Sequence, residues 1–152
     1  MNNTLPKYFT FISSFNENIL KNNNINLGVI YRNYLKKIDI NEIFAIKKYC
    51  KKKGHKFYIS NNYKLAVKTR SDGLYIPSFN RTILHNKFNL IQNFKIIGSA
   101  HNHFEIKKKI EQGCEAIFVS PIFEIEKKRK VLGINGFNLL TQNYKVNFIA
   151  LG

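Results

Sequence analysis

Continuous apolar runs, rather than alternating ones, set the pattern of this chain. They are YFTFI (Tyr8 to Ile12), NLGVIYR (Asn26 to Arg32), KFYIS (Lys56 to Ser60), GLYIP (Gly73 to Pro77), KIIGS (Lys95 to Ser99), AIFVSP (Ala116 to Pro121) and VNFIALG (Val146 to Gly152). Such runs offer no polar face to water. They predict strands buried on both faces, the condition of a parallel sheet. Helical spacing lies between them. NEIFAIKKYCKKKG, Asn41 to Gly54, puts Ile43, Ile46 and Cys50 on one stripe. Its lysines gather in the last turn, where the helix dipole favours cations, and Gly54 suits the C′ position. HFEIKKKIEQG, His103 to Gly113, repeats the design with Ile106 and Ile110 four apart. Asn61 to Arg70 and Gly136 to Gln142 predict shorter helices, and Arg81 to Asn93 fits neither pattern.

Strand, helix and strand in strict order mean βαβ units and a parallel sheet. Two closures satisfy that order, an open doubly wound sheet or a (β/α)8 TIM barrel. No Gly/Ser-rich tract interrupts the chain, so a single domain over 1–152 is expected. The last run stops at Gly152. A complete barrel typically takes about 200 residues or more, so as a barrel the chain reads as truncated after strand 7, with the C-terminal βα unit absent. Strands one and seven would then have open edges, for which self-association into a homo-oligomer is expected.

The 152 residues are 44% hydrophobic and 14% aromatic, enough for a real core. No apolar run approaches the roughly 18 residues needed to span a bilayer, so no membrane partner is expected. Met1 to Phe11 lacks the layout of a signal peptide. Cys50 and Cys114 have no metal spacing and sit beside apolar stretches, which reads as buried free thiols in a reducing, cytoplasmic setting. The net charge of +16 suggests nucleic acid at first sight. Lys outweighs Arg, however, and Asn, Ile, Phe and Tyr abound, as in NNNIN at Asn22 to Asn26. That profile is one an A+T-rich genome writes, and the cations are spread along the chain. A basic nucleic-acid-binding protein is kept as the alternative from another class. A field this positive also attracts anionic small molecules.

In either closure, ligands bind at the C-terminal ends of the strands. Those ends carry Arg32 and Tyr34, Ser60 and Asn61, Pro77, Ser78 and Asn80, Ser99 and His101, Ser120, and Gly152. The loop Glu124 to Leu132 holds Lys127, Lys128, Arg129 and Lys130. Spacing alone favours a solvated charge run there, while position would let the run meet a phosphate. His101 and His103 could offer two imidazoles to a metal, but no third ligand is apparent, and capping or solvent contact is the simpler role. Ser60, Ser99 and Ser120 could donate to a ligand or cap helices. No Gly-rich phosphate fingerprint is present. Nine acidic residues leave few candidates for carboxylate-pair chemistry.

Taken in order, the strand ends resemble the thiamine phosphate synthase/TenI family, a (β/α)8 barrel family. Its strand-two R-x-K, strand-three N-D, strand-four A-D-G-V-H and strand-five G-x-S-x-H have counterparts here. They are Arg32-Asn33-Tyr34, Ser60-Asn61, Ser71-Asp72-Gly73-Leu74-Tyr75 and Ile97-Gly98-Ser99-Ala100-His101. The strand-six G-P-I-F-x-T-x-T-K corresponds to Ser120-Pro121-Ile122-Phe123-Glu124-Ile125-Glu126-Lys127-Lys128, and the strand-seven A-I-G-G-I to Ala150-Leu151-Gly152.

The resemblance implies a thiamine biosynthesis enzyme acting on small phosphorylated substrates. A hydroxymethylpyrimidine diphosphate would lose pyrophosphate, and a thiazole phosphate would capture the pyrimidine carbon. Arg32, Ser99 and Lys128 match pyrophosphate-site positions, with Asn61, Ser120 and Gly152 beside them and Ser99 and His101 as the catalytic candidates. The family's magnesium ligands would fall at Asn61 and Asn80. An amide brings no negative charge, so affinity for Mg2+ is expected to drop. Tyr34 replaces the R-x-K lysine, and Ile125 and Lys127 replace two threonines. These departures are similar to the TenI-like branch, whose implied activities are thiazole tautomerisation, with His101 as the acid/base, or none.

Overall fold

The computed structural model describes residues 4–21, 26–34, 37–83, 92–123 and 131–151. Among them the elements run β1 (Tyr8–Ile12), α1 (Glu17–Leu20), β2 (Leu27–Tyr31), α2 (Ile40–Lys53), β3 (Lys56–Ser60), α3 (Tyr63–Lys68) and β4 (Gly73–Ile76). They continue with β5 (Lys95–Ala100), α4 (His103–Glu111), β6 (Ala116–Val119), α5 (Gly133–Thr141) and β7 (Asn147–Ala150). All seven apolar runs are strands. The helix α1 was not legible in the spacing. It is one turn, started by Asn16, whose side chain accepts from the Asn18 and Ile19 amides. The ambiguous stretch 81–93 is described for 81–83 and 92–93, which form no helix or strand, while 84–91 lie outside the described residues.

The chain packs as two compact units, Met1–Tyr75 with Ile91–Phe94, and Ile76–Leu90 with Lys95–Gly152. In the first, β1 to β4 pair in chain order and all in parallel, with Phe11 opposite Ile30, Ile30 opposite Tyr58, and Ile59 opposite Leu74. Paired residues share a face and neighbours along a strand alternate. Val29, Phe57 and Ile59 therefore share one face, and all are buried. α2 packs against β3 with Ile43, Ile46 and Cys50 buried, the stripe expected from the spacing. Asp39 caps its start, and Gly54 (φ 71°) closes its end with bonds back to Cys50 and Lys51.

The opposite face of this unit carries Phe9, Phe11, Ile30, Tyr58 and Tyr75. The Phe11 ring meets Tyr75 edge-on at 5.3 Å, although β1 and β4 are not hydrogen-bonded neighbours. The aromatic face is therefore the concave one. Gly28 is what lets Phe9 lie flat there, since a Cβ at that position would fall 2.2 Å from the ring.

In the second unit β5, β6 and β7 again pair in order and in parallel, with Ser99 opposite Phe118 and Phe118 opposite Ile149. A doubly wound sheet reverses its strand order at a switch point, whereas in-order pairing with helical crossovers is the repeat of the (β/α)8 class, and the fold belongs to that class.

Here α4 departs from the expected stripe. Ile106 is buried, but Ile110 is 42% exposed and Lys109 is fully buried in its place. The reason is Gly98. With no side chain on the helix-facing side of β5, it leaves a channel that an unbranched lysine stem fills. At the channel's end the Lys109 ammonium donates to the Asn80 carbonyl at 2.7 Å and to Gln112 Oε1 at 2.8 Å. Gln112 Nε2 in turn donates to the Asn80 and Thr82 carbonyls. The segment after β4 is thus tied to α4 by paired polar groups, which makes the buried charge tolerable.

Both thiols are free and buried, and burial pushes each up to about 12. Among the described residues no helix is long and apolar enough to cross a membrane.

Candidate active site

In the first unit the chemistry collects where β2 and β3 end. Arg32 follows β2 directly and continues the side-chain alternation of Ile30, which places it at the C-terminal mouth of the concave face. Its backbone N–H donates to the Ile12 carbonyl at 2.8 Å, extending the parallel ladder by one bond. Its guanidinium lies over the Phe11 ring, 4.6 Å from the centroid. Among the described residues it has no ion pair or side-chain hydrogen bond, so its fork of donors is exposed to solvent.

Ser60, at the end of β3, is nearly buried and shares a 2.7 Å hydrogen bond with the Tyr34 hydroxyl. Tyr34, standing where the resemblance would have a lysine, therefore ties the β2 loop to β3 instead of supplying charge. Asn61 turns the chain with a left-handed backbone (φ 57°), a conformation asparagine tolerates better than most residues. Its N–H donates to the Tyr75 carbonyl at 2.8 Å, and Asn62 then caps α3 through the Leu65 amide. A cavity of about 190 Å³ opens beside this turn, lined by Tyr31, Asn33, Tyr34, Ser60 and Asn61 among others.

In the second unit Ser99 and His101 stand at the end of β5 and just beyond it. Gly98 faces α4, so Ser99 faces the other way, where its partner Phe118 also points. His101 Nδ1 lies 2.7 Å from the Ser120 carbonyl and 3.3 Å from Ser120 Oγ. A carbonyl only accepts, so Nδ1 is the donor in this contact, which in the neutral ring leaves Nε2 as the acceptor. The turn is fixed by Glu105, whose carboxylate accepts the His101 N–H at 2.8 Å, while Asn102 accepts the Glu105 N–H at 2.9 Å. This is a variant of the capping box. The Asn102-His103-Phe104-Glu105 spacing signals such a box in the sequence, although the His101–Ser120 pairing is a tertiary contact that no local pattern shows. His103 is turned to Tyr144, with Nδ1 3.0 Å from the hydroxyl.

Both oxygens of Asn80 are already engaged. Its side-chain oxygen accepts the Thr82 N–H at 2.8 Å, and its carbonyl is capped by the Lys109 ammonium, whose charge opposes a dication there. Asn61 offers only a neutral amide. No group of three or more His, Cys, Asp or Glu side chains that could hold a metal occurs among the described residues. Neither Asn61 nor Asn80 brings the negative charge that a magnesium ion favours. The expected ligands Lys128 and Gly152 lie outside the described residues, as do the other three cations of their loop.

A family model described as thiamine monophosphate synthase matches residues 29–152. The chain belongs to the thiamine monophosphate synthase family. Curated relatives include the thiamine-phosphate synthase of Prochlorococcus marinus (strain AS9601), 28% identical over 116 residues that make up 74% of this chain and 33% of that protein. The thiamine-phosphate synthase of Flavobacterium psychrophilum is 30% identical over 105 residues, 66% of this chain and 50% of that one. The chain thus spans between a third and a half of the length of these curated relatives.

Among solved structures, thiamine phosphate pyrophosphorylase from Pyrococcus furiosus superposes with a TM-score of 0.70 at 13% identity, over 95% of this chain and 73% of that one. The citrate synthase SbnG does so at 0.68 and 8% identity, over 97% and 78%. At these identities the likeness is one of fold.

Proposed function

We propose that this member of the thiamine monophosphate synthase family acts as a synthase-type transferase. In the reaction, the bond between the pyrimidine's exocyclic carbon and the diphosphate oxygen breaks, and its electron pair leaves on pyrophosphate. The ring nitrogen of a thiazole phosphate then donates its lone pair to that carbon. Charge develops on the leaving oxygen, so fixed donors at the strand mouth are what the step requires.

Arg32 supplies a bidentate fork and Ser99 a hydroxyl donor. Asn61 and Ser120 orient the substrate, and Lys128 and Gly152 complete the set by their family positions. His101, with Nδ1 committed to Ser120, has Nε2 left to exchange a proton with the substrate when the ring is neutral. The observation that carries this reading is the family match over 29–152, within which every proposed ligand falls.

A second reading, thiazole tautomerisation by His101 or binding without turnover, is favoured by one observation. Asn80, at a position where an acidic metal ligand would be expected, is engaged by Thr82 and Lys109 instead.

The site is tested by calorimetric titration of pyrophosphate at two salt concentrations. A charge-assisted contact to phosphate contributes roughly 1.5–3 kcal/mol. Arg32→Ala should therefore weaken binding about ten- to a hundredfold. Equal affinity in the variant and the wild type would remove Arg32 from the site.

A further inference from the structure

We infer that Phe11, backed edge-on by Tyr75, is the positioning residue that holds the Arg32 guanidinium at the strand mouth. The functional part of this inference rests on Arg32 being an anion ligand, as proposed above. Phe11 precedes the 29–152 stretch matched by the family model, so the match assigns it no role.

The geometry is specific. Arg32 is exposed and has no carboxylate partner among the described residues, so a long side chain there would be free to sample many rotamers. Instead its charged carbon sits 4.6 Å above the Phe11 centroid, within cation–π range. Phe11 is itself held. Tyr75 meets it at 5.3 Å with an interplanar angle of 81°, the T-shaped geometry favoured by ring quadrupoles. Tyr75 is 3% exposed and cannot drift. A guanidinium held over a ring uses no N–H donor on that contact, so its fork stays available to grip a phosphate bidentately. The platform thus fixes in advance the orientation that binding would otherwise have to impose, and lowers the entropy lost on binding.

The test separates ring electrons from ring shape. Mono-, di- and trifluorophenylalanine at position 11 keep the volume and progressively weaken the quadrupole. Pyrophosphate affinity should fall stepwise, to about three- to tenfold below wild type, with the thermal midpoint unchanged. Phe11→Leu should lose at least as much, and Phe11→Tyr should restore wild-type affinity. A flat response across the fluorinated series would overturn the inference.

A second readout does not need the ligand. The heteronuclear NOE of the Arg32 Nε–H group should report an ordered side chain in the wild type and a mobile one in Phe11→Leu. Equal order in both would sink the platform whatever pyrophosphate does. If the wild type binds no pyrophosphate, the anion-site reading falls, and the Arg32 signal then decides the platform by itself.

Discussion

Gly98→Ala should destabilise the second unit by about 1–3 kcal/mol, the cost typical of forcing a methyl group into a closed core. The added Cβ would lie 2.8 Å from Lys109 Cδ, 2.9 Å from Cys114 Sγ and 2.9 Å from the Ile76 carbonyl oxygen. A lysine stem can swing aside in open surroundings. This one is fully buried, with its ammonium bonded to Asn80 and Gln112. The Ile76 oxygen is backbone and moves only with its strand. Relief through Lys109 would also break the bonds that tie Asn80 to α4. Urea unfolding of the two proteins measures the difference. A loss below about 0.5 kcal/mol, within the range of ordinary surface changes, would mean that the close packing of β5 on α4 is wrong.

Lys109 carries the second large effect. Burial pulls its pKa from 10.5 down to about 8, partly offset by the Cys114 and Glu105 charges nearby. A lysine whose folded pKa is depressed gives up its proton earlier in the folded state. Between about pH 8 and 10.5 the unfolded chain therefore binds more protons, and stability must rise with pH through that window. The full swing is about 2–3 kcal/mol, of which about 1 kcal/mol falls between pH 8 and 9.

The two thiols act in the opposite sense. Their folded pKa values are raised to about 12, so each loses stability as pH climbs above about 9. The quantity to measure is therefore the difference in unfolding free energy between Lys109 and Lys109→Met proteins across pH 7.5 to 10.5, both carrying Cys114→Ala because the Lys109 charge lowers the Cys114 thiol, so that the Cys50 contribution cancels. The Lys109 protein should gain on the Lys109→Met protein as pH rises. A constant difference would show that the ammonium is not desolvated.

Strands β2 to β6 were readable because they are buried on both faces, so every residue of GVIY or AIFV is apolar and nothing interrupts the run; β1 and β7 read the same way in the sequence but are only partly buried. The α2 stripe was readable for the matching reason, since Ile43, Ile46 and Cys50 meet a sheet face made of bulky side chains. The α4 stripe failed because its core-facing surface is shaped by a glycine in another element. Gly98 turns the best occupant of that line from Ile110 into a straight-chain lysine, and hydrophobic spacing ranks those two the wrong way round.

At the candidate site, residue types were legible at the strand ends, but partnerships were not. Nothing local in the sequence says that His101 Nδ1 donates to the Ser120 carbonyl, that Tyr34 is spent on Ser60, or that Asn80 is engaged by Thr82 and Lys109. Phe11 looked like one more apolar residue of β1. Its relation to Arg32 arises only when β1 and β2 pair and bring the two side chains to the same end of one face.

The proposal that this chain performs synthase chemistry is tested most directly by turnover. The protein is incubated with hydroxymethylpyrimidine diphosphate and thiazole phosphate, separately and together, with and without magnesium, and pyrophosphate release is followed. Release should require both substrates and fall sharply in Arg32→Ala and Ser99→Ala. No release from a folded wild-type protein that still binds pyrophosphate would contradict the transferase reading, and would leave His101 tautomerisation or simple binding in its place.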